Sequence, residues 1–573
     1  MGLRDRIDMA AGREKAGLVL KNAGVVNVFT LEVQRADVAI AGDTIVGIGS
    51  YSGIREIDLA GKYLAPGFID GHVHIESSML TPSRFAQAIV PRGTTAVVAD
   101  LHEIANVCGE NGVRFMADDA KGLPLDVHIM VPSCVPATPF EEAGAVLGAD
   151  AISRLMGLGG VLGLGEMMNY PGVMAGDAHI IKKIEAADGR PIDGHAPGLG
   201  GRALAAYAAA GPKTDHESLG VEEMLEKISI GFYVQLRGGS LAKDVGRLVG
   251  GINPRNMRRA MFCTDDRHPH DILAHGHIDH ALRTAVACGL DPAVAVAMAT
   301  LNAAECYGLK GVGAIAPGYR ADIVVLDDLV DFRASGVYKN GVLAAENGAA
   351  LFDAPSGPLP PAVVDTVRLD AITEDYLKMR LASDRAHVIL PVRGSLETRK
   401  TTERVAVRDG FFDFSKDSGI CKVAVLERHK RLGHIGLGLV RGFGIKDGAI
   451  AQTISHDSHN VIAVGDNDGD MVAAVNELAG GGGIAVAHGG AVIKALPLPV
   501  AGLMSDRPID EVCGDLTEIE NAVFETLGAD SAANPLMLLS FLALPVIPEL
   551  RITSRGMFDV TEFKFVDCKT QFL

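Results

Sequence analysis

The sequence predicts an α/β protein built on a (β/α)8 TIM-like barrel, with a composite small β-sandwich domain and an additional C-terminal α/β domain. Three observations predict it. From Ala65 to Leu309 apolar, strand-length runs alternate with helix-length amphipathic stretches over about 245 residues, the size and rhythm of a (β/α)8 barrel. Segments rich in β signals flank that region on both sides. A proline-rich break, Ala354-Pro-Ser-Gly-Pro-Leu-Pro-Pro-Ala, then separates a further α/β stretch that runs to Leu573. The expected division is residues 1–65 with 310–354 as the composite β domain, 66–309 as the barrel, 355–380 as a linker and helix, and 381–573 as the C-terminal domain.

Each element follows in order. Ala23-Gly-Val-Val-Asn-Val-Phe, Ala36-Asp-Val-Ala-Ile-Ala, a Gly42-Asp43 turn and Thr44-Ile-Val-Gly-Ile read as a β meander. In the second flank Ala321-Asp-Ile-Val-Val-Leu precedes Val337-Tyr-Lys-Asn-Gly-Val-Leu, where Asn340-Gly341 is a hairpin turn signal. Each flank offers few strands, and small sheets with open edges need partners, so one joint sheet is expected. The barrel strands are read at Thr95–Asp100, Asp126–Val131, Gly160–Glu166, Pro191–His195, Phe232–Arg237 and Ala260–Asp265. Val388-Ile-Leu, Lys422-Val-Ala-Val-Leu, Asn460-Val-Ile-Ala-Val and the Gly480–Gly483 turn belong to the C-terminal unit.

Composition excludes several functions. Fifty-three basic against 71 acidic residues leave a net charge of −18, so a polyanion meets repulsion and nucleic acid is not an expected partner. Hydrophobic residues at 48% and charged residues at 22% fit a folded globular chain and not a membrane bundle. The most apolar late stretch, Gly480–Val500, carries His488, Lys494 and two prolines. The eight cysteines form no CxxC pair, which points to a reducing cytoplasm and away from disulfides or a thiolate zinc knuckle. The first residues lack the apolar core of a secretory signal. No G-x-G-x-x-G follows a strand and no P-loop string occurs, so nothing supports a dinucleotide or nucleotide-phosphate site.

The strongest chemical signal is Pro66-Gly-Phe-Ile-Asp-Gly-His72-Val-His74. Residues i and i+2 of a strand point to one side about 6.6 Å apart, so both imidazoles can reach one metal or a close metal pair. Glu166 after Gly-Leu-Gly, His195 after Ile-Asp-Gly, and Asp265 after Phe-Cys-Thr stand at downstream strand ends, while His216 has no clear strand before it. Four imidazoles and two carboxylates suit two divalent ions, with Glu166 able to bridge and Asp265 able to bind one ion and handle protons. Singly, each has an ordinary alternative: a histidine satisfying a loop, or Asp265 or Asp266 capping a helix. Two further histidine clusters stand out. His268, His270, His275, His277 and His280 crowd a short segment, with His268 expected beside the site and the others facing solvent. Ser455-His456-Asp457-Ser458-His459-Asn460 is read as turn capping, since triad partners meet in space and not by adjacency.

Gly61-Lys-Tyr-Leu-Ala-Pro-Gly-Phe-Ile-Asp-Gly-His-Val-His resembles the entry to the first barrel strand of the amidohydrolase superfamily. The adjoining Ile75-Glu76-Ser77-Ser78-Met79 is similar to its bacterial adenine deaminase branch. So are Asp100-Leu-His-Glu-Ile-Ala-Asn-Val, Gly165-Glu-Met-Met-Asn-Tyr-Pro-Gly-Val, Asp193-Gly-His-Ala-Pro-Gly, Asp215-His-Glu-Ser and Cys263-Thr-Asp-Asp-Arg-His-Pro. Asp417-Ser-Gly-Ile, the 455–460 segment and Gly480-Gly-Gly-Gly resemble that branch's extra domain. The resemblance implies hydrolytic deamination of adenine to hypoxanthine and ammonia in purine salvage. It implies His72, His74, Glu166, His195, His216 and Asp265 as ligands of two divalent ions, manganese or iron, with zinc as the third option and Asp266 as the alternative to Asp265. Asp265 is the expected proton shuttle, Glu103 a second expected catalytic residue in contact with the substrate, and His102, Arg237 and His268 the expected purine contacts. Leu101 stands where the branch has proline, a change confined to local turn geometry. A homodimer is expected on the same likeness. The alternative activity is another metal-dependent amidohydrolase acting on a cyclic amide or N-acyl substrate. His74-Ile-Glu76 also spells the first half of a cytidine-deaminase zinc signature, but no P-C-x-x-C accompanies it.

Overall fold

Strand β1 (Ala16–Asn27) pairs antiparallel with β2 (Glu32–Ala41), and β2 with β3 (Thr44–Gly49), giving the first strands of the expected meander. β4 (Gly53–Asp58) and β5 (Tyr63–Pro66) return to the other edge of β1 and run parallel to it, β4 beside residues 16–21 and β5 beside 24–25. A bulge between Leu20 and Ala23, with Asn22 in the left-handed region at φ 57°, lets one long strand serve two successive partners. This computed structural model describes residues 2–355, 357–414, 419–531 and 534–566; Asp417, Ser418 and Cys568 lie outside them.

β6 (Phe68–Val73), β7 (Thr94–Asp100), β8 (Asp126–Val131), β9 (Val161–Met167) and β10 (Ile192–Gly194) form a parallel sheet in chain order. Helices Pro82–Ile89 and Ala149–Met156 lie between its strands. Every residue of β6 and β7 is buried, as in parallel sheets covered on both faces, where strands read as near-continuous apolar runs. β11 (Thr214–Asp215), β12 (Tyr233–Arg237) and β13 (Ala260–Cys263) form a second parallel sheet. The two sheets meet where Asp265 N–H donates to the His72 carbonyl at 2.9 Å and His74 N–H donates to the Asp265 carbonyl at 3.1 Å. Ile69, Ala96, Val98, Met130 and Met261 share one core with Ala303, Ala304 and Tyr307.

β14 (Ile323–Leu326) pairs antiparallel with β5 and with β15 (Ala334–Lys339). β15 turns into β16 (Val342–Glu346), which pairs with β17 (Ala349–Ala350). Both flanks therefore contribute to a single sheet. The Asn340-Gly341 turn has positive φ at both residues, 52° and 76°, the twist a tight hairpin needs. A β-carbon on Gly341 would lie 2.1 Å from the Gly42 carbonyl oxygen, so the turn also requires glycine for space. Leu20, Val25, Val38, Ile40, Leu64, Ile323 and Val325 form this sheet's core.

The chain divides into two compact units, residues 1–101, 116–133 and 148–356 in the first, and 102–115, 134–147 and 357–573 in the second. The second contains β18 (Arg385–Pro391), β19 (Thr398–Arg404), the short pair β20 (Val407–Arg408) and β21 (Phe411–Phe412), then β22 (Ile420–Leu426) and β23 (Ile435–Arg441). β24 (Gly448–Gln452), β25 (Val461–Gly465), β26 (Gly483–His488) and β27 (Ala491–Pro497) complete a sheet of order β19-β18-β23-β22-β25-β24-β26-β27. Helix Asp468–Leu478, capped by Asn467 accepting the Asp470 N–H, lays Met471, Ala474, Val475 and Leu478 on that sheet. The sheet face is mostly alanine, at 424, 449, 451, 463, 485 and 487, which leaves room for close approach of the helix. β28 (Leu550–Thr553), β29 (Gly556–Asp559) and β30 (Lys564–Phe565) form a small separate sheet. Among the described residues no helix is long and apolar enough to cross a membrane, and the seven described cysteines are free thiols.

Candidate metal centre

In the first unit, side chains from the downstream ends of β6, β9, β10, β11 and β13 converge. His72 Nε2 and His74 Nε2 are 3.2 Å apart. Asp265 Oδ1 lies 3.2 Å from His74 Nε2 and 3.6 Å from His72 Nε2. Glu166 divides its oxygens: Oε1 faces His74 Nε2 at 3.4 Å, while Oε2 faces His195 Nδ1 at 2.7 Å and His216 Nε2 at 3.2 Å. His216 Nε2 is also 4.0 Å from Asp265 Oδ1. The structure thus brings all six expected ligand residues together in overlapping groups: Glu166 with His72 and His74, Glu166 with His195 and His216, and Asp265 with His72 and His216.

The donor set fits divalent cations. His74 Nδ1 is 3.1 Å from the Asp100 carbonyl oxygen, which can only accept, so Nδ1 carries hydrogen and Nε2 of the neutral ring presents a lone pair inward. That lone pair faces two carboxylate oxygens and a second imidazole nitrogen. Such a ring of electron-pair donors repels unless positive charge sits within it. The ionisation pattern says the same. Burial disfavours charge on His72, yet the Asp193 and Asp265 carboxylates outweigh it and raise the ring to about 10. Burial likewise opposes charge on His195, and Glu217 and Glu166 raise it to about 9. Against burial, the neighbouring imidazoles hold Glu166 and Asp265 well below the ordinary carboxylate range.

Local backbone features place these groups. Glu166 N–H donates to Asp100 Oδ2 at 2.8 Å, and Asp265 adopts φ 60°, a left-handed conformation uncommon outside glycine that turns its carboxylate inward. Asp70 ties β6 to the segment after β13, accepting His72 N–H at 3.2 Å, Thr264 N–H at 3.0 Å and the Thr264 hydroxyl at 2.5 Å. Asp193 Oδ2 stands 3.8 Å behind His72 Nδ1, and its other oxygen is 2.7 Å from Thr214 Oγ1 and 2.9 Å from the Tyr307 hydroxyl. Lys227, fully buried, donates to Asp215 at 2.6 Å and to the Ala196 carbonyl at 2.9 Å, joining the residues beside His216 and His195.

The remaining expected residues are placed differently. Arg237 is buried at the end of β12 and is engaged with carboxylates: Nε donates to Asp244 at 2.8 Å, and Nη1 to Asp265 at 3.1 Å and to Glu217. Asp266 accepts the Ser77 hydroxyl at 2.5 Å. His268 precedes helix Pro269–His275, with its N–H on Ser240 Oγ at 2.8 Å. His277, expected at the surface, is instead buried 3.1 Å from Asp70, while His275 is exposed. His102 and Glu103 open helix His102–Cys108 in the second unit, where Glu103 contacts His456 and His459. The 455–460 segment does turn the chain, with His459 N–H on the Ser455 carbonyl at 2.7 Å and Ser455 N–H on His459 Nδ1 at 3.1 Å, and all six residues are buried. Glu217, Asp193, Asp70 and Lys227 escaped the sequence reading. Three of them stood inside strings already singled out: Asp70 and Asp193 two places before His72 and His195, and Glu217 directly after His216.

Residues 63–344 match the amidohydrolase family, and residues 395–564 match the adenine deaminase C-terminal domain. The adenine deaminase of Clostridium acetobutylicum is 49% identical over 567 residues, covering 98% of this chain and 100% of the relative. That of Nitratidesulfovibrio vulgaris is 52% identical over 566 residues, covering 98% of each. The relative of the same name from Halalkalibacterium halodurans is 46% identical over 573 residues, covering 99% of this chain and 98% of that protein. The chain belongs to the adenine deaminase family, within the amidohydrolases.

Proposed function

We propose that the protein hydrolyses adenine to hypoxanthine and ammonia in purine salvage, as a cytoplasmic homodimer, with its centre on a (β/α)8 barrel. The observation that carries the reading is Glu166, whose two oxygens face separate imidazole sets, set in a chain about half identical over its whole length to proteins named adenine deaminase. His72, His74, Glu166, His195, His216 and Asp265 would hold two divalent ions, manganese or iron, with zinc as the third option. Bound there, the ions would supply the Lewis acidity that makes water a nucleophile at neutral pH.

The residues handle the rest. Addition of water at C6 places charge on the ring, so one proton must reach N1 and another the departing ammonia. Asp265, held as a carboxylate against burial by His216, His72, His74 and Arg237, takes the proton of the attacking water and returns it to the leaving group. Glu103 is assigned as the second proton-handling carboxylate, and His102, Arg237 and His268 as purine contacts. The domain boundaries read from the sequence, residues 66–309 for the barrel and 381–573 for the C-terminal domain, belong to the same proposal.

Metal-replete protein incubated with adenine, guanine, adenosine and hydantoin tests the reading. Ammonia from adenine alone is expected. Turnover of hydantoin with no ammonia from adenine would replace the proposal with a cyclic-amide hydrolase.

A further inference from the structure

Glu103 in the second unit stands among three imidazoles. Its Oε1 is 2.8 Å from His456 Nδ1 and 3.3 Å from His102 Nε2, and its Oε2 contacts His459 Nε2. One proton in this cluster can be located by elimination. Ser455 N–H points at His459 Nδ1 at 3.1 Å, and a backbone amide only donates, so Nδ1 carries the lone pair and Nε2 carries the hydrogen. His459 is therefore a donor to Glu103. Burial, outweighing Glu103, holds its pKa down at about 4, which keeps the ring neutral. A glutamate and two histidines within reach of one another also invite a metal-site reading. The Ser455 amide argues against it, because the nitrogen a cation would take already bears hydrogen.

The loop that carries these rings is heavily anchored. The His456 ring stacks on Phe541 with centroids 4.2 Å apart. Arg428, fully buried, donates to the His459 carbonyl, to Ala501 O at 2.9 Å and to Thr366 Oγ1 at 3.2 Å. His429 Nε2 binds Ser458 O at 2.8 Å, and Asn460 Nδ2 donates to Glu142 O at 2.7 Å. His459 itself sits at φ 53°, a conformation that costs energy for any residue but glycine. A segment that only turned the chain would need neither a buried guanidinium whose described contacts are all neutral oxygens nor a left-handed histidine.

We propose that Ser455–Asn460 is a clamp, in which His456 and His459 are positioning residues that fix both oxygens of the Glu103 carboxylate through N–H donors. The clamp lies wholly within the second unit, and it rests on the assignment of Glu103 to proton handling above. The two rings donate through different atoms, Nδ1 at 456 and Nε2 at 459. An asparagine amide nitrogen superposes on the first and a glutamine amide nitrogen on the second.

That difference makes the test specific. In the full metal-replete chain with adenine, His456→Leu and His459→Leu should each lower kcat by about ten-fold or more, with KM within about two-fold. Bound metal should be unchanged. His456→Asn and His459→Gln should recover kcat to within about three-fold of wild type, and His456→Gln and His459→Asn should not. This rescue pattern stays readable even where a leucine variant fails to fold. Full kcat in the leucine variants overturns the clamp, as does metal loss on substitution of either histidine. Glu103→Gln separates this from the reading beneath it: an inactive E103Q beside active leucine variants sinks the clamp alone, whereas a fully active E103Q removes Glu103 from the reaction and the clamp with it. A readout independent of turnover is the His459 imidazole N–H proton resonance, expected far downfield in wild type and shifted upfield in E103Q. No such signal in the wild-type protein would also overturn the clamp.

Discussion

The carboxylate of Asp100 lies directly against Gly165: a β-carbon on that glycine would stand 2.1 Å from Asp100 Oδ2, the same oxygen that accepts the Glu166 N–H. Gly165→Ala must therefore push Asp100 away and release Glu166. Because Asp100 also holds the His74 ring through its carbonyl, the candidate metal centre should be disturbed at both His74 and Glu166. The expected result is less bound metal per chain and a kcat/KM lower by about 100-fold, measured by elemental analysis and ammonia release.

Arg237 compensates Asp265, Asp244 and Glu217 in a buried setting. Arg237→Met leaves those carboxylates without their shared cation, and breaking a buried pair in this way costs about 3–5 kcal/mol. Urea unfolding of the metal-free protein should shift by that amount. Arg237→Lys restores a charge without the planar fork and should recover only part of the loss.

Lys227→Met tests whether the ion pair behind His195 and His216 matters to them. The lysine is inaccessible and reaches both Asp215 and Glu223. Its loss should lower stability by about 3 kcal/mol or more and weaken metal retention during dialysis. Retention equal to wild type would show that the two histidines need no such staple.

Glu141 gives a pH signature. Burial, reinforced by Asp457, raises its carboxyl from the ordinary 4.5 to about 8. The folded state then holds a proton that the unfolded chain has released, so the contribution is whole below the unfolded value and is lost as pH rises through the folded one. Across that window stability should fall by about 1.4 kcal/mol per pH unit from this group. Glu141→Gln fixes the neutral form and should flatten the dependence in urea titrations from pH 5 to 8.5.

Much of this site was legible because its ligands end short apolar runs: Glu166 follows Gly-Leu-Gly and His195 follows Ile-Asp-Gly, where strands of a parallel sheet present chemistry. His216 showed no strand because β11 is only two residues long. What escaped were partners distant in sequence. Asp193 serves His72 from the far side of the sheet and leans on Tyr307, 114 residues on, and Asp70 meets Thr264 across 194 residues. The 455–460 segment is the polar turn it looked like, but its contact with Glu103 was hidden because that carboxylate precedes it by more than 350 residues. The expected meander is present as β1, β2 and β3, but the pattern did not reveal that β4 and β5 return to the other edge of β1 and run parallel to it.

The sheet that joins both flanks imposes a schedule on synthesis. β5 waits for β14, which leaves the ribosome about 250 residues later. At roughly 5–20 residues per second the nascent chain carries an unpaired edge for on the order of 10–50 s. During that interval the open edge of β5 is a template for mispairing with neighbouring polypeptides. Slowed translation between residues 70 and 320 should therefore lower soluble yield more than an equal delay after residue 350.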